Sequence, residues 1–91
     1  MKLVSKVQVK NSMGLHTRPA TAIVKLLQNC KCNVFFTHKR ETINAKSLLS
    51  ILMLAATKNS KITITTDGED ADNTMNKLVT AFENGFGEQL G

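Results

Sequence analysis

The sequence predicts a two-layer α+β domain in which helices cover one face of a sheet. Three observations lead there. Apolar and polar residues alternate with period two at both Leu3–Lys10 and Ile62–Thr65, the pattern of half-buried strands. Apolar residues recur at helical spacing after Pro19 and again from Met75. Turn signals divide the chain into the order strand, helix, strand, strand, helix, strand, helix, without linker or internal repeat. A chain of 91 residues holds one hydrophobic core, so residues 1–91 are expected to form a single domain.

In the first strand Leu3, Ser5, Val7 and Val9 alternate with Val4, Lys6, Gln8 and Lys10, and Asn11-Ser12-Met13-Gly14 follows as a loop. Pro19 fits the first turn of a helix, where its missing N–H is no loss. Ala20, Ile23, Val24 and Leu27 then define a helix over about 17–28. Val34 to Thr37 and Arg40 to Asn44 form a hairpin turning at His38-Lys39. Ser47 is an N-cap for a short helix ending near Ala55. Ile62 and Ile64 mark the fourth strand. Asp67-Gly68 turns the chain, and Glu69, Asp70 and Asp72 place negative charge at the start of a last helix. That helix carries one stripe of Met75, Leu78, Val79, Phe82 and Phe86.

Composition excludes several function classes. Hydrophobic residues are 42% and charged residues 21%, as in ordinary globular chains. The longest apolar stretch, Leu48 to Ala56, is far short of the roughly 20 residues that cross a bilayer, so no membrane insertion is expected. Without the features of a signal peptide at Met1–Ser5, the expected location is the cytoplasm. Cys30 and Cys32 make one C-x-C, too few ligands for a structural zinc site, and are taken as reduced structural residues. No metal and no cofactor are expected. The net charge of +5 suits an acidic partner, an anionic ligand or nucleic acid. Nucleic acid is the weakest of these, because four Phe with no Tyr or Trp leave few side chains on which bases could stack and Phe82 and Phe86 belong to the core stripe.

The chemistry concentrates in Gly14-Leu15-His16-Thr17-Arg18-Pro19-Ala20. His16 stands where a loop ends and a Pro-marked helix begins, so the free backbone N–H groups of Thr17 and Arg18 and the positive end of the helix dipole lie beside it. That field disfavours added positive charge and favours an anionic product. A phosphoryl group on the ring would therefore meet a ready anion site, and Arg18 can clamp its oxygens with a guanidinium fork. Gly14 permits close approach or positive φ just before the histidine. No second histidine, carboxylate pair, phosphate loop or metal set accompanies it, which points to a carrier of the group and not to a complete enzyme.

The same heptad, with Asn44-Ala45-Lys46-Ser47 and Gly68-Glu69-Asp70, closely resembles the HPr family, the histidine phosphocarriers of the phosphoenolpyruvate-dependent sugar phosphotransferase system. The likeness spans almost the whole chain. It implies an open-faced βαββαβα sandwich, a four-stranded antiparallel sheet covered on one face by three helices. It also implies that His16 accepts a phosphoryl group from phospho-enzyme I, on Nδ1, and passes it to enzyme IIA domains, with Arg18 as the active-site arginine and the chain a monomer. Ser47 matches the serine that a dedicated kinase/phosphorylase modifies in many members, to be read by a regulatory protein. Ser50 stands where the kinase-regulated members usually have glycine, and Leu52 where they often have methionine.

Leu48, Leu49, Ile51, Leu52, Met53, Leu54 and Ala55 are too apolar all round for a helix with one face in water, so part of this surface is expected to be a docking patch. The resemblance makes Thr17, Thr21, Lys25, Leu48, Leu49 and Leu52 its contacts, with Lys25 and Lys46 steering acidic partners. A purely regulatory module built on Ser47 and this patch is the alternative to a carrier, and retention of His16 argues against it as the sole role.

Overall fold

The computed structural model describes residues 1–88. Its elements are strand β1 (Lys2–Gln8), helix α1 (Thr17–Leu27), strands β2 (Asn33–His38) and β3 (Glu41–Asn44), helix α2 (Leu48–Leu54), strand β4 (Lys61–Asp67) and helix α3 (Ala71–Glu83), then a 3₁₀ turn at Gly85–Gly87. The four strands form one antiparallel sheet in the order β1-β4-β2-β3. This is the open-faced βαββαβα architecture expected.

Period two does the sorting within the sheet. Val34, Phe36, Ile62, Ile64 and Thr66 are buried, while Val4, Phe35, Lys6 and Lys61 are exposed. The helices close over the buried face with Ala20, Ile23 and Leu27 from α1, Ile51 and Leu54 from α2, and Ala71, Met75, Leu78 and Phe82 from α3. Phe82 meets Phe36 edge to face at 5.7 Å, tying α3 to the centre of the sheet.

Several local expectations are corrected. His38 is not in the hairpin turn: it ends β2 and pairs with Glu41, so the turn is Lys39-Arg40, with Lys39 at φ 57°. Phe86 is not on the α3 stripe. The helix stops at Glu83, and Gly85 and Phe86 at φ 62° and 56° reverse the chain, which still brings the Phe86 ring to 4.8 Å from Phe82. Ser47 does cap α2, its Oγ accepting the N–H of Ser50 at 3.2 Å. Asp70, at the start of α3, caps nothing in its own helix. Its carboxylate accepts instead from the backbone N–H groups of Lys31 and Cys32, both at 2.9 Å, and so pins the α1–β2 connection. Cys32 beside it is buried and Cys30 half-buried, both as free thiols, and burial pushes the Cys32 thiol up.

The N–H of Lys31 is the main cause that holds the Asp70 carboxyl at about 2, below its ordinary 3.8, with the bonds from Cys32 adding to it against a smaller opposing effect of desolvation. The folded-state value is the lower one, so the stabilisation is complete above the ordinary value and disappears as pH falls towards about 2. Urea midpoints measured across that acid range should fall for the natural sequence. Asp70→Asn should lower the midpoint at neutral pH and flatten this part of the acid dependence.

Candidate functional site

The site is built where two loops meet. The backbone N–H of Leu15 donates to the carbonyl of Ala56 at 2.9 Å, and Val9 exchanges backbone bonds with Asn59 and Ser60, so the β1–α1 loop is laced to the α2–β4 loop. Gly14, at φ 68°, lies against the carbonyl of Ala56, and a Cβ at this position would collide with that oxygen. The next residues are therefore delivered to one place. Leu15 anchors in the core, and His16 follows as the N-cap residue of α1 with extended backbone.

The first turn of α1 has few donors left over. Pro19 has no N–H, and the N–H of Ala20 bonds the carbonyl of His16 at 3.0 Å. Among the described residues the N–H groups of Thr17 and Arg18 have no hydrogen-bond partner, and both residues are exposed beside His16. The His16 ring does not cap the helix; it turns to a carboxylate. Its Nε2 lies 3.1 Å and 3.0 Å from the two side-chain oxygens of Glu88, with the His16 side chain 29% exposed and that of Glu88 15%. A carboxylate only accepts, so Nε2 carries the hydrogen, and in the neutral ring Nδ1 keeps the lone pair.

Glu88 is itself held by Asn11. The buried Asn11 amide donates to the Glu88 carboxylate at 2.6 Å and to the carbonyl of Gly85 at 2.9 Å. Its own Oδ1 is buried without a hydrogen-bond partner among the described residues. Desolvation tends to raise the Glu88 carboxyl, but the Asn11 amide, His16 and the charge of Arg18 together prevail and hold it below its ordinary value.

The other expected site residues lie on α1 and on or just before α2. Arg18 is exposed, and its guanidinium makes no hydrogen bond among the described residues; its charge is nonetheless felt at Glu88. Thr21 is half-buried on α1 and Lys25 exposed one turn on. Leu48 and Leu49 are 39% and 67% exposed and Leu52 is half-buried, so α2 does present an apolar surface beyond its buried Ile51 and Leu54. Lys46 donates through Nζ to the carbonyl of Cys30 at 3.2 Å.

The family model for the HPr component of the phosphotransferase system, which describes its phosphorylation site, matches residues 4–84. The chain belongs to the HPr family. Within that family it is 46% identical over 80 residues to the phosphocarrier protein HPr of Chlamydia pneumoniae, covering 88% of this chain and 74% of the relative. Its fold superposes on the HPr-C-His structure from Thermoanaerobacter tengcongensis with a TM-score of 0.92 at 27% identity, over 97% and 99% of the two chains. It superposes on HPr of Bacillus anthracis with a TM-score of 0.84 at 34% identity, over 89% and 96%. Members of this family are phosphocarriers of the phosphotransferase system. No helix among the described residues is long and apolar enough to cross a membrane.

Two site residues escaped the sequence reading. Asn11 looked like an ordinary turn residue, and Glu88 lies 72 positions from His16. The signal available for Glu88 was the pair of glycines around Phe86, which mark the chain reversal that brings it back. If the Asn11 amide helps keep Glu88 ionised, a carbon-detected titration of the Glu88 carboxyl should show its pKa move upward in Asn11→Ala. An unchanged titration would remove Asn11 from the support of the site.

Proposed function

We propose that this HPr-family chain accepts a phosphoryl group from phospho-enzyme I on His16 Nδ1 and donates it to enzyme IIA domains, in the cytoplasm. The observation that carries this reading is the bond from His16 Nε2–H to Glu88, which leaves Nδ1 as the nucleophilic nitrogen beside the unused N–H groups of Thr17 and Arg18. In the forward step the Nδ1 lone pair forms the new bond to phosphorus. The bond from phosphorus to the donor breaks, and its electron pair stays with the donor. Nε2 keeps its proton on the Glu88 side, so positive charge developing on the ring meets a carboxylate. The phosphoryl oxygens meet the two amides and the helix dipole, and the exposed Arg18 folds over them as a clamp. The reverse step reuses the same parts, since a protonated ring is the better leaving group.

Docking is assigned to Thr17, Thr21, Lys25, Leu48, Leu49 and Leu52. Ser47 is assigned as a regulatory phosphorylation site for a dedicated kinase/phosphorylase. Its Oγ already accepts the Ser50 N–H, and a phosphate oxygen takes over that bond without unfolding α2. The added charge of about −2 next to Leu48 and Leu49 then opposes an acidic partner.

Incubation with enzyme I and phosphoenolpyruvate should produce an acid-labile, base-stable phosphoryl group that is absent from His16→Ala. Its equal appearance on that variant would refute the assignment. In the same assay Ser47→Asp should raise the KM for enzyme I about tenfold, equivalent to ~1.4 kcal/mol, and leave the site of phosphorylation unchanged.

A further inference from the structure

A second feature stands at the end of the sheet that carries His16. The register places Gln8 beside Lys61 and Thr37 beside Thr63, so the β2–β3 turn, the end of β1 and the α2–β4 loop share that end. Between this turn and the C-terminal end of α2 lies an open cleft of about 620 Å³ lined by His38, Lys39, Arg40 and Glu41 on one side and by Met53, Leu54 and Ala55 on the other. Its size is within the range of sites that receive a ligand or an anchoring side chain.

The cleft has an apolar wall and a rim on which two cations, Lys39 and Arg40, outnumber the one carboxylate of Glu41. Met53 is 69% exposed and stands one helical turn after Leu49, which is 67% exposed, so the cleft continues the apolar surface of α2. Lys39 and Arg40 have no carboxylate within ion-pair distance: among the described residues Glu88 faces His16, and Glu69 faces Lys31. Lys39 also holds φ 57°, a conformation that strains an ordinary side chain and that glycine adopts freely. The turn thus presents a lysine where a strain-free residue would remove its charge.

We infer that this cleft is a second docking point for the phosphoryl donor, receiving an acidic segment whose apolar side chain rests on Met53 while its carboxylates face Lys39 and Arg40. The inference rests on the carrier reading above and extends the contact surface beyond Leu48, Leu49 and Leu52. Charge complementarity defines the occupant: unpaired cations beside apolar surface select carboxylates beside an apolar anchor. A partner reaching His16 must approach this end of the sheet. A standard interface buries about 800 Å² on each side, enough to cover both the α2 surface and the adjoining turn.

The test uses the full chain with purified enzyme I and phosphoenolpyruvate. Lys39→Gly combined with Arg40→Glu removes both cations and relaxes the turn, and an unchanged amide spectrum away from the turn shows that the fold is kept. This variant should raise the KM for enzyme I about tenfold, the low end of what electrostatic steering supplies, with kcat unchanged and a shallower dependence on salt. Met53→Ala should raise KM without altering the salt dependence. Amide resonances of Lys39, Arg40 and Met53 should shift when enzyme I is added to labelled protein. Normal phosphorylation of the natural sequence, with KM and salt dependence unchanged in the variants and no shift of the turn resonances, would overturn the cleft assignment alone. Failure of the natural sequence to be phosphorylated would overturn the carrier reading and the cleft with it.

Discussion

The arrangement depends on the close contact between the backbone of Gly14 and the carbonyl of Ala56. At φ 68° Gly14 turns the chain so that the next N–H, that of Leu15, bonds the Ala56 oxygen, and no side chain fits between the two loops. Everything at the site is downstream of that contact. Leu15 reaches the core, His16 arrives as the residue before α1, and Pro19 fixes the start of the helix behind it. The same bond ties the segment after α2, through Ala56, to the loop that carries the histidine, so the apolar surface of α2 and the His16 ring are held beside each other.

A second constraint comes from the far end of the chain. The reversal at Gly85 and Phe86 sends Glu88 back to His16, and Asn11 holds it there by donating to both Gly85 and Glu88. Asn11 is fully buried, and among the described residues its Oδ1 has no hydrogen-bond partner. The carboxylate that it holds accepts from the ring and so sets which nitrogen carries hydrogen. Orientation of an imidazole by a carboxylate is a general device for leaving the opposite nitrogen reactive.

Much of this was legible in the sequence. Period two in β1 and β4, helical stripes in α1 and α3, the Ser47 cap and the position of His16 at a helix start all follow from local rules, and local rules govern them in the structure. The antiparallel sheet was not legible in periodicity, because pairing joins segments far apart in the chain, and it was expected only from the family resemblance. The order β1-β4-β2-β3 is given by the structure alone. The hairpin turn was displaced by one residue because Lys39 gives no sign of the left-handed conformation it adopts. Asp70 read only as negative charge at the start of α3, and only the folded α1–β2 connection reveals the two amides that claim it. Glu88 was hidden for the same reason: its role exists only once α3 has packed through Phe82 and the chain has reversed beyond it.

In the proposed mechanism the Glu88 carboxylate holds Nε2 and leaves Nδ1 to take the phosphoryl group. Nitrogen and phosphorus NMR of ¹⁵N-histidine-labelled protein after phosphorylation by enzyme I tests it directly. The account requires the phosphorus coupling at Nδ1 of His16, with Nε2 still bearing its proton. Coupling at Nε2, or a phosphoryl group on any other residue, would contradict it.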